Sequence, residues 1–303
     1  MFFQTFWTWL TDRLSTYISS HTAEVAAAIA PVAAVLAAIY VMVWGYLHLR
    51  GRIDEPIMEA SIRAIRLVVV FGVGLHLWMY HAVVTEVFFK GPDELAARLV
   101  GAETPIATID AIWSRGALVA ATLWDKGSVL SGDIGFYIAG VVVYLLVGFC
   151  CVYTLFLLSL AKIAVSVLLA IGPLFILMTF FESTRRYFDA WVQELANYAL
   201  VSVVTVMVSV LILDLVKAYA DQTAARGEAL VTVDALNLAL AAGLVILVLR
   251  QVLPIAARLA GGFALSTFGA VELLTQRFSA AATGTAIIAA STLAAVASND
   301  DAD

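Results

Sequence analysis

The side chains best suited to hold a metal or carry a nucleophilic step are four histidines, His21, His48, His76 and His81, and two cysteines, Cys150 and Cys151. Their spacing argues against both chemistries. His76 and His81 are five residues apart, whereas two ligands on one helical face need a separation of three or four. The cysteines are adjacent inside an apolar run, which fits neither a disulfide framework nor metal-ligand spacing. They read as small packing residues. No zinc-protease helix, phosphate-binding loop or nucleophile elbow occurs. The sequence therefore predicts a protein that is not an enzyme, with no catalytic residue, no cofactor and no metal. Among the charged residues, Asp214 and Lys217 lie three apart near one end of the apolar run 195–217. Charges inside a span are functional candidates by default. At that depth, however, both can pair or reach the interface, and they are assigned to packing and assembly. Arg250 can reach the interface in the same way. No carboxylate falls at the middle of an apolar run, which counts against an ion-coupled pump.

The elements that must position these residues are helices in lipid. Mean hydropathy is +0.98, with 63% hydrophobic and 13% charged residues. Soluble domains carry about 25% charged residues. So little charge cannot cover a water-soluble body of this size, and the bilayer must supply the remaining compatible surface. The expected fold is all-α: a polytopic helical protein of a bacterial inner membrane with about five spans, a re-entrant or interfacial segment and an N-terminal amphipathic helix. The net charge of -6 offers no broad basic face for nucleic acid.

Along the chain, residues 1–23 place Phe3, Phe6, Trp7, Leu10, Leu14, Tyr17 and Ile18 at helical spacing. This predicts a periplasmic or interfacial amphipathic helix, because Trp and Phe favour headgroup depth; the rival reading is a helix packed on other protein. Met1–Leu10 has no Lys or Arg and so lacks the basic region of a signal peptide. Residues 24–89 hold two spans, about 24–49 and 67–89, joined by a loop with Arg50, Arg52, Arg63 and Arg66. Residues 90–135 form a central periplasmic helical loop. Residues 136–258 carry three spans, near 136–158, 195–217 and 233–253, and a Gly172-Pro173 segment over 161–181. Residues 259–303 form an Ala/Gly/Ser-rich cytoplasmic tail.

Lys and Arg near span ends favour the cytoplasm. The loop after the first span is then cytoplasmic, and the N-terminus and the interval 90–135 are periplasmic. If 161–181 crossed, seven Lys and Arg would lie inside and ten outside; if it enters and leaves on one side, ten lie inside and seven outside. Pro173 lacks an N–H and disfavours helix just before it, so a break at Gly172-Pro173 is physically reasonable. The segment 161–181 is expected not to cross. Lys162, Arg185 and Arg186 are expected to anchor its cytoplasmic side at anionic phospholipid headgroups or an acidic partner surface, with the C-terminus in the cytoplasm.

In the central interval, Thr104-Pro105 reads as a helix start, with a capping hydroxyl followed by Pro at the first helical position. Ile109, Ile112, Trp113, Ala117, Ala120, Leu123 and Trp124 share one face beyond it. Trp113, Arg115, Trp124 and Lys126 are the candidates for a platform touching a substrate or pilus. The rival reading of the interval is a cap packed on the membrane or on neighbouring subunits.

One stretch is more specific. Lys162, Gly172-Pro173-Leu174, Thr184-Arg185-Arg186, Phe188, Trp191, Asn197 and Tyr198 resemble the signature of the TrbL family, the polytopic inner-membrane subunit of type IV secretion systems (the VirB-six position). The motif covers about 40 residues, and the arrangement of spans and loops about 250. The resemblance implies an inner-membrane platform or channel component that supports pilus assembly and passage of DNA or protein substrates. It implies a ring of identical subunits, a pentamer, that meets the minor pilin tip subunit, the major pilin, other inner-membrane secretion subunits and their separate ATPases. Trp191, Asn197 and Tyr198 then fall to packing and assembly. Two rival functions remain open: a small secondary transporter, and a purely structural membrane scaffold.

Overall fold

The computed structural model describes residues 2–50, 76–101, 104–126, 134–226 and 243–260, with isolated positions 68, 72, 74 and 240; a few side chains within these stretches, those of Lys126 and Lys217 included, are not described. The chain divides into two units, Met1–Ala260 and Gly261–Asp303. The arginine-rich loop expected after the first span lies almost wholly outside the described residues, as does the expected tail.

Every regular element among the described residues is helical. Helix α1 runs over Phe2–Leu49. Helix α2, Leu77–Tyr80, leads into a π-helical stretch, His81–Lys90, and then α3, Gly91–Val100. Helix α4 is Pro105–Lys126, α5 is Ile134–Ala170, α6 is Gly172–Leu177 and α7 is Glu182–Arg226. Helix α8 is Gly243–Ala260. Among the described residues, five helices are long and apolar enough to cross a membrane: α1, α4, α5, the part of α7 over Ser183–Val216, and α8.

Helix α5 is the axis of the bundle. It is 37 residues long, about 55 Å at 1.5 Å per residue, well beyond a hydrocarbon core of about 30 Å. Helix α4 runs antiparallel along its first half. Gly140 of α5 faces Trp124, while Gly148 faces Trp113. Helix α7 runs antiparallel along its second half, with Trp191 beside Leu168 and Ser202 beside Lys162. Two apolar clusters follow from this arrangement. One gathers Phe3, Trp7, Ile109, Ile112, Val147 and Cys151. The other gathers Ile18, Tyr80, Leu169, Ile176, Trp191 and Leu195.

Three local features set the path of the chain. Gly101 ends α3 at φ 67°, where only glycine avoids a Cβ penalty, and its N–H reaches back to Ala97 and Arg98. Thr104 then caps α4 by accepting from the Ala107 N–H at 3.3 Å. The π-helical stretch precedes Pro92, whose ring would crowd the Phe88 carbonyl in an α-helix. The wider turn relieves that crowding, and the Gly91 N–H donates to Glu86 instead.

The structure corrects three expectations. The stripe expected to lie in the membrane interface is packed on protein: Phe3, Trp7, Leu10 and Ile18 are buried. Asp110 of α4 lies beside the Gln4 backbone in the first turn of α1. That stripe and the expected first span also form one helix, because nothing between residues 20 and 24 breaks it and Pro31 is accommodated inside it. Finally, no boundary falls near Lys162. Residues 136–158 and the first half of 161–181 belong to α5, and only 171–181 connects α5 to α7. That connector is too short to cross a bilayer, and it returns the chain along the helix it came from.

Candidate functional site

The connector begins where Pro173 interrupts the helix. A proline at 173 cannot donate to the Leu169 carbonyl. Ile171 takes up the bend at φ -94° and ψ 1°. Two side chains from distant elements supply the missing donors. The Tyr80 hydroxyl donates to the Leu169 carbonyl at 2.6 Å, and the Trp191 Nε1–H donates to the Leu168 carbonyl at 2.9 Å. Buried carbonyls left without donors are costly, so these two bonds make the break tolerable at depth. Glycine at 172 allows the close approach. A Cβ there would overlap the Tyr80 hydroxyl and sit 2.8 Å from the Trp191 ring. Phe175 stacks on Trp191 at 5.9 Å, and Phe188 lies 5.8 Å from it. The Gly-Pro break is thus a knot of α2, α5, α6 and α7.

About two turns before the break lies a buried ion pair. Lys162 is 4% exposed, and its Nζ donates to Asp93 Oδ2 at 2.5 Å and to the Phe89 carbonyl. The ammonium lies 4.1 Å from the Phe89 ring centroid and 5.9 Å from that of Trp7. Cation–π attraction of this kind adds to the pairing. Burial pushes the Asp93 carboxyl up from its ordinary value, and Lys162 beside it pulls it back. Four elements meet on one side chain: α1, the π-helical stretch, α3 and α5. A cavity of about 10 Å³ beside the pair is bordered by Ser202 and Ala199 of α7. That is about the room one water needs.

This geometry overturns the expected place of Lys162. It does not mark a span end at the headgroups. Lys162 and Asp93 also cannot occupy opposite faces of a bilayer while in contact, so a cytoplasmic Lys162 and a periplasmic start of the 90–135 interval do not hold together.

The other expected residues scatter. Arg185 and Arg186 are exposed near the start of α7, at the connector end of the bundle, and Arg186 donates to the Tyr187 hydroxyl at 3.0 Å. Trp113 and Trp124 are half-buried against α5, each within 6 Å of the Tyr144 ring. They do not share an exposed face with Arg115, which points out. Asn197 donates to Glu194 at 3.4 Å, and its buried Oδ1 has no protein partner. Tyr198 packs against both apolar clusters, and Asp214 is exposed. Tyr80 and Asp93 were not singled out by sequence. Their partners lie 89 and 69 residues away, and no local pattern marks such contacts. Among the described residues, no three His, Cys, Asp or Glu side chains converge as a metal site.

Residues 37–252, more than two thirds of the chain, match the model of the family described as TrbL/VirB6 plasmid conjugal transfer protein. The chain belongs to this family. The matched range includes the knot, the ion pair and most of the bundle around them. Among curated proteins, the chain is 25% identical over 175 residues to the type IV secretion system protein VirB6 of Bartonella quintana, covering 56% of this chain and 53% of that protein. It is 23% identical over 191 residues to VirB6 of Bartonella henselae, covering 61% and 58%. It is 26% identical over 212 residues to VirB6 of Brucella suis, covering 64% and 60%. The chain thus spans little more than half the length of the curated relatives it matches. Family membership and the apolar helices make it a multi-pass protein of the inner membrane.

Proposed function

We propose that this chain is an inner-membrane platform subunit of a type IV secretion system, supporting pilus assembly and the passage of DNA or protein substrates. The observation that carries the reading is the family match over 37–252. The relatives' shared description as type IV secretion system VirB6 proteins agrees with it. The bundle suits a platform rather than a motor. It holds apolar helices with tightly tied internal joints, and the sequence carries no phosphate-binding loop, so energy comes from partner ATPases.

In this proposal identical subunits form a ring, with the minor pilin tip subunit and major pilin assembling on it and with other inner-membrane subunits beside it. The N-terminus is periplasmic and the C-terminus cytoplasmic. The exposed Arg185 and Arg186 sit at the cytoplasmic headgroups, where each basic residue is worth about 1 kcal/mol against anionic lipid. The ends of α4 and α5 near Lys126 and Ile134 carry the platform face. A small secondary transporter draws on one observation, the buried Lys162–Asp93 pair. Each of those charges already neutralises the other, and the adjoining cavity has room for a water but not for a solute.

The test is deletion in a host that transfers DNA or effector, followed by complementation. Loss of transfer and of pili, both restored by the chain, is the expected result. Normal transfer and piliation without the chain overturns the proposal. For orientation, Arg185→Cys is expected to react with an impermeant maleimide only after the inner membrane is opened. Reaction in intact spheroplasts overturns the proposed topology.

A further inference from the structure

A groove of about 550 Å³ opens where the first half of α5 passes α4. Trp113, Tyr144, Leu145, Phe149 and Val152 wall it, with Gly148 between them and with Phe2 and Phe3 of α1 completing the lining. Among the described residues, no charged side chain takes part. Phe2, Leu145, Phe149 and Val152 are each more than half exposed, so four large apolar side chains converge on one concavity.

We propose that this groove holds one acyl chain of a bilayer phospholipid. Both helices that form it are long and apolar enough to cross a membrane, which puts straight-chain lipid beside it. Its volume lies within the range of about 300–1,000 Å³ typical of small-ligand sites. From Tyr144 to Val152 the groove extends about 12 Å along α5. A single methylene chain is narrow enough to lie between the rings. Gly148 is what leaves the space open, since a Cβ there would already stand 3.2 Å from the Trp113 ring. The described lining is wholly apolar, which suits a tail and not a headgroup.

The test uses the purified full chain in nanodiscs of phosphatidylethanolamine and phosphatidylglycerol, with a trace of phospholipid carrying a diazirine in one tail. After irradiation, label is expected to concentrate on Tyr144–Val152 rather than on Phe156 and Ile163, which are exposed further along the same helix. Leu145→Trp fills the groove from its exposed side. This is expected to lower labelling of Tyr144–Val152 to the level of Phe156 and Ile163, with an unchanged melting temperature. Gly148→Leu is expected to give the same loss from the floor. Label spread evenly along α5, or labelling unaffected by Leu145→Trp, means ordinary lipid contact and overturns the proposal. So does a Phe149→Cys variant that cross-links to a second copy and excludes the probe, because a protein surface then covers the groove.

Discussion

The two halves of α5 are built on different principles. From Ile134 to Val152 the helix is held by shape: glycines at 140 and 148 receive the Trp124 and Trp113 rings, and Tyr144 lies between them. From Thr154 to Ala170 it is held by directed polar bonds. Thr154 and Ser166 bond back to carbonyls four residues earlier, Lys162 is paired with Asp93, and Tyr80 and Trp191 satisfy the carbonyls before the break. In lipid, apolar contact between helices gains little over contact with acyl chains, so close packing and hydrogen bonds must do the joining. One half relies on the first and the other on the second. Shape-based joints tolerate a small change where a side chain can shift and resist it where backbone stands in the way. Bonded joints fail when one partner is lost.

The contrast is broken most severely at the ion pair. Lys162→Met leaves Asp93 buried without its partner and is expected to cost about 3–5 kcal/mol, while Lys162→Met with Asp93→Leu recovers most of that loss. Unfolding of the four proteins of this cycle in mixed micelles checks the claim; a double variant as unstable as the sum of the singles would remove the pair from the account. Next comes the knot. Gly172→Ala pushes a methyl into the Tyr80 hydroxyl and is expected to destabilise by about 1–3 kcal/mol. Tyr80→Phe leaves the Leu169 carbonyl without a donor, for a similar loss of about 1–3 kcal/mol. Because Pro173 is the reason the carbonyl lacks its helical donor, Pro173→Ala is expected to harm the native protein yet partly rescue Tyr80→Phe. Equal effects of Pro173→Ala in both backgrounds would mean that the hydroxyl does not replace the missing N–H.

The sequence reading reached the helical class, the membrane and a break at Gly172-Pro173, because hydropathy and proline chemistry are local; it set the extent of that segment wrongly, since 161–170 belong to α5. It misplaced Lys162 because a lysine in an apolar run looks the same whether it marks a span end or finds a carboxylate 69 residues away. It also took the Phe3, Trp7 and Leu10 stripe for an interfacial face. An aromatic stripe that meets lipid headgroups and one that meets α4 and α5 have the same periodicity, and only the tertiary partner distinguishes them. The Trp113 and Trp124 face was legible as a face. Its direction was not, because the glycines that receive it lie on another helix.

The smallest expected effect lies in the half held by shape, and it can be measured within that half alone. At Gly140 a Cβ would stand 2.6 Å from the Trp124 ring and 3.2 Å from the Ala120 carbonyl. The ring could turn away, but the carbonyl belongs to the backbone of α4, so Gly140→Ala forces the helices apart and is expected to cost about 1–3 kcal/mol. At Gly148 the nearest atom is the edge of the half-buried Trp113 ring at 3.2 Å, with no backbone within 4 Å. That edge can yield by a few tenths of an ångström, and alanine gains roughly 1 kcal/mol of helix propensity over glycine. Gly148→Ala is therefore expected to be near neutral or slightly stabilising in the same micelle assay. If it destabilised as much as Gly140→Ala, the ring could not yield, and this half of α5 would be as exacting as the half that is tied by polar bonds.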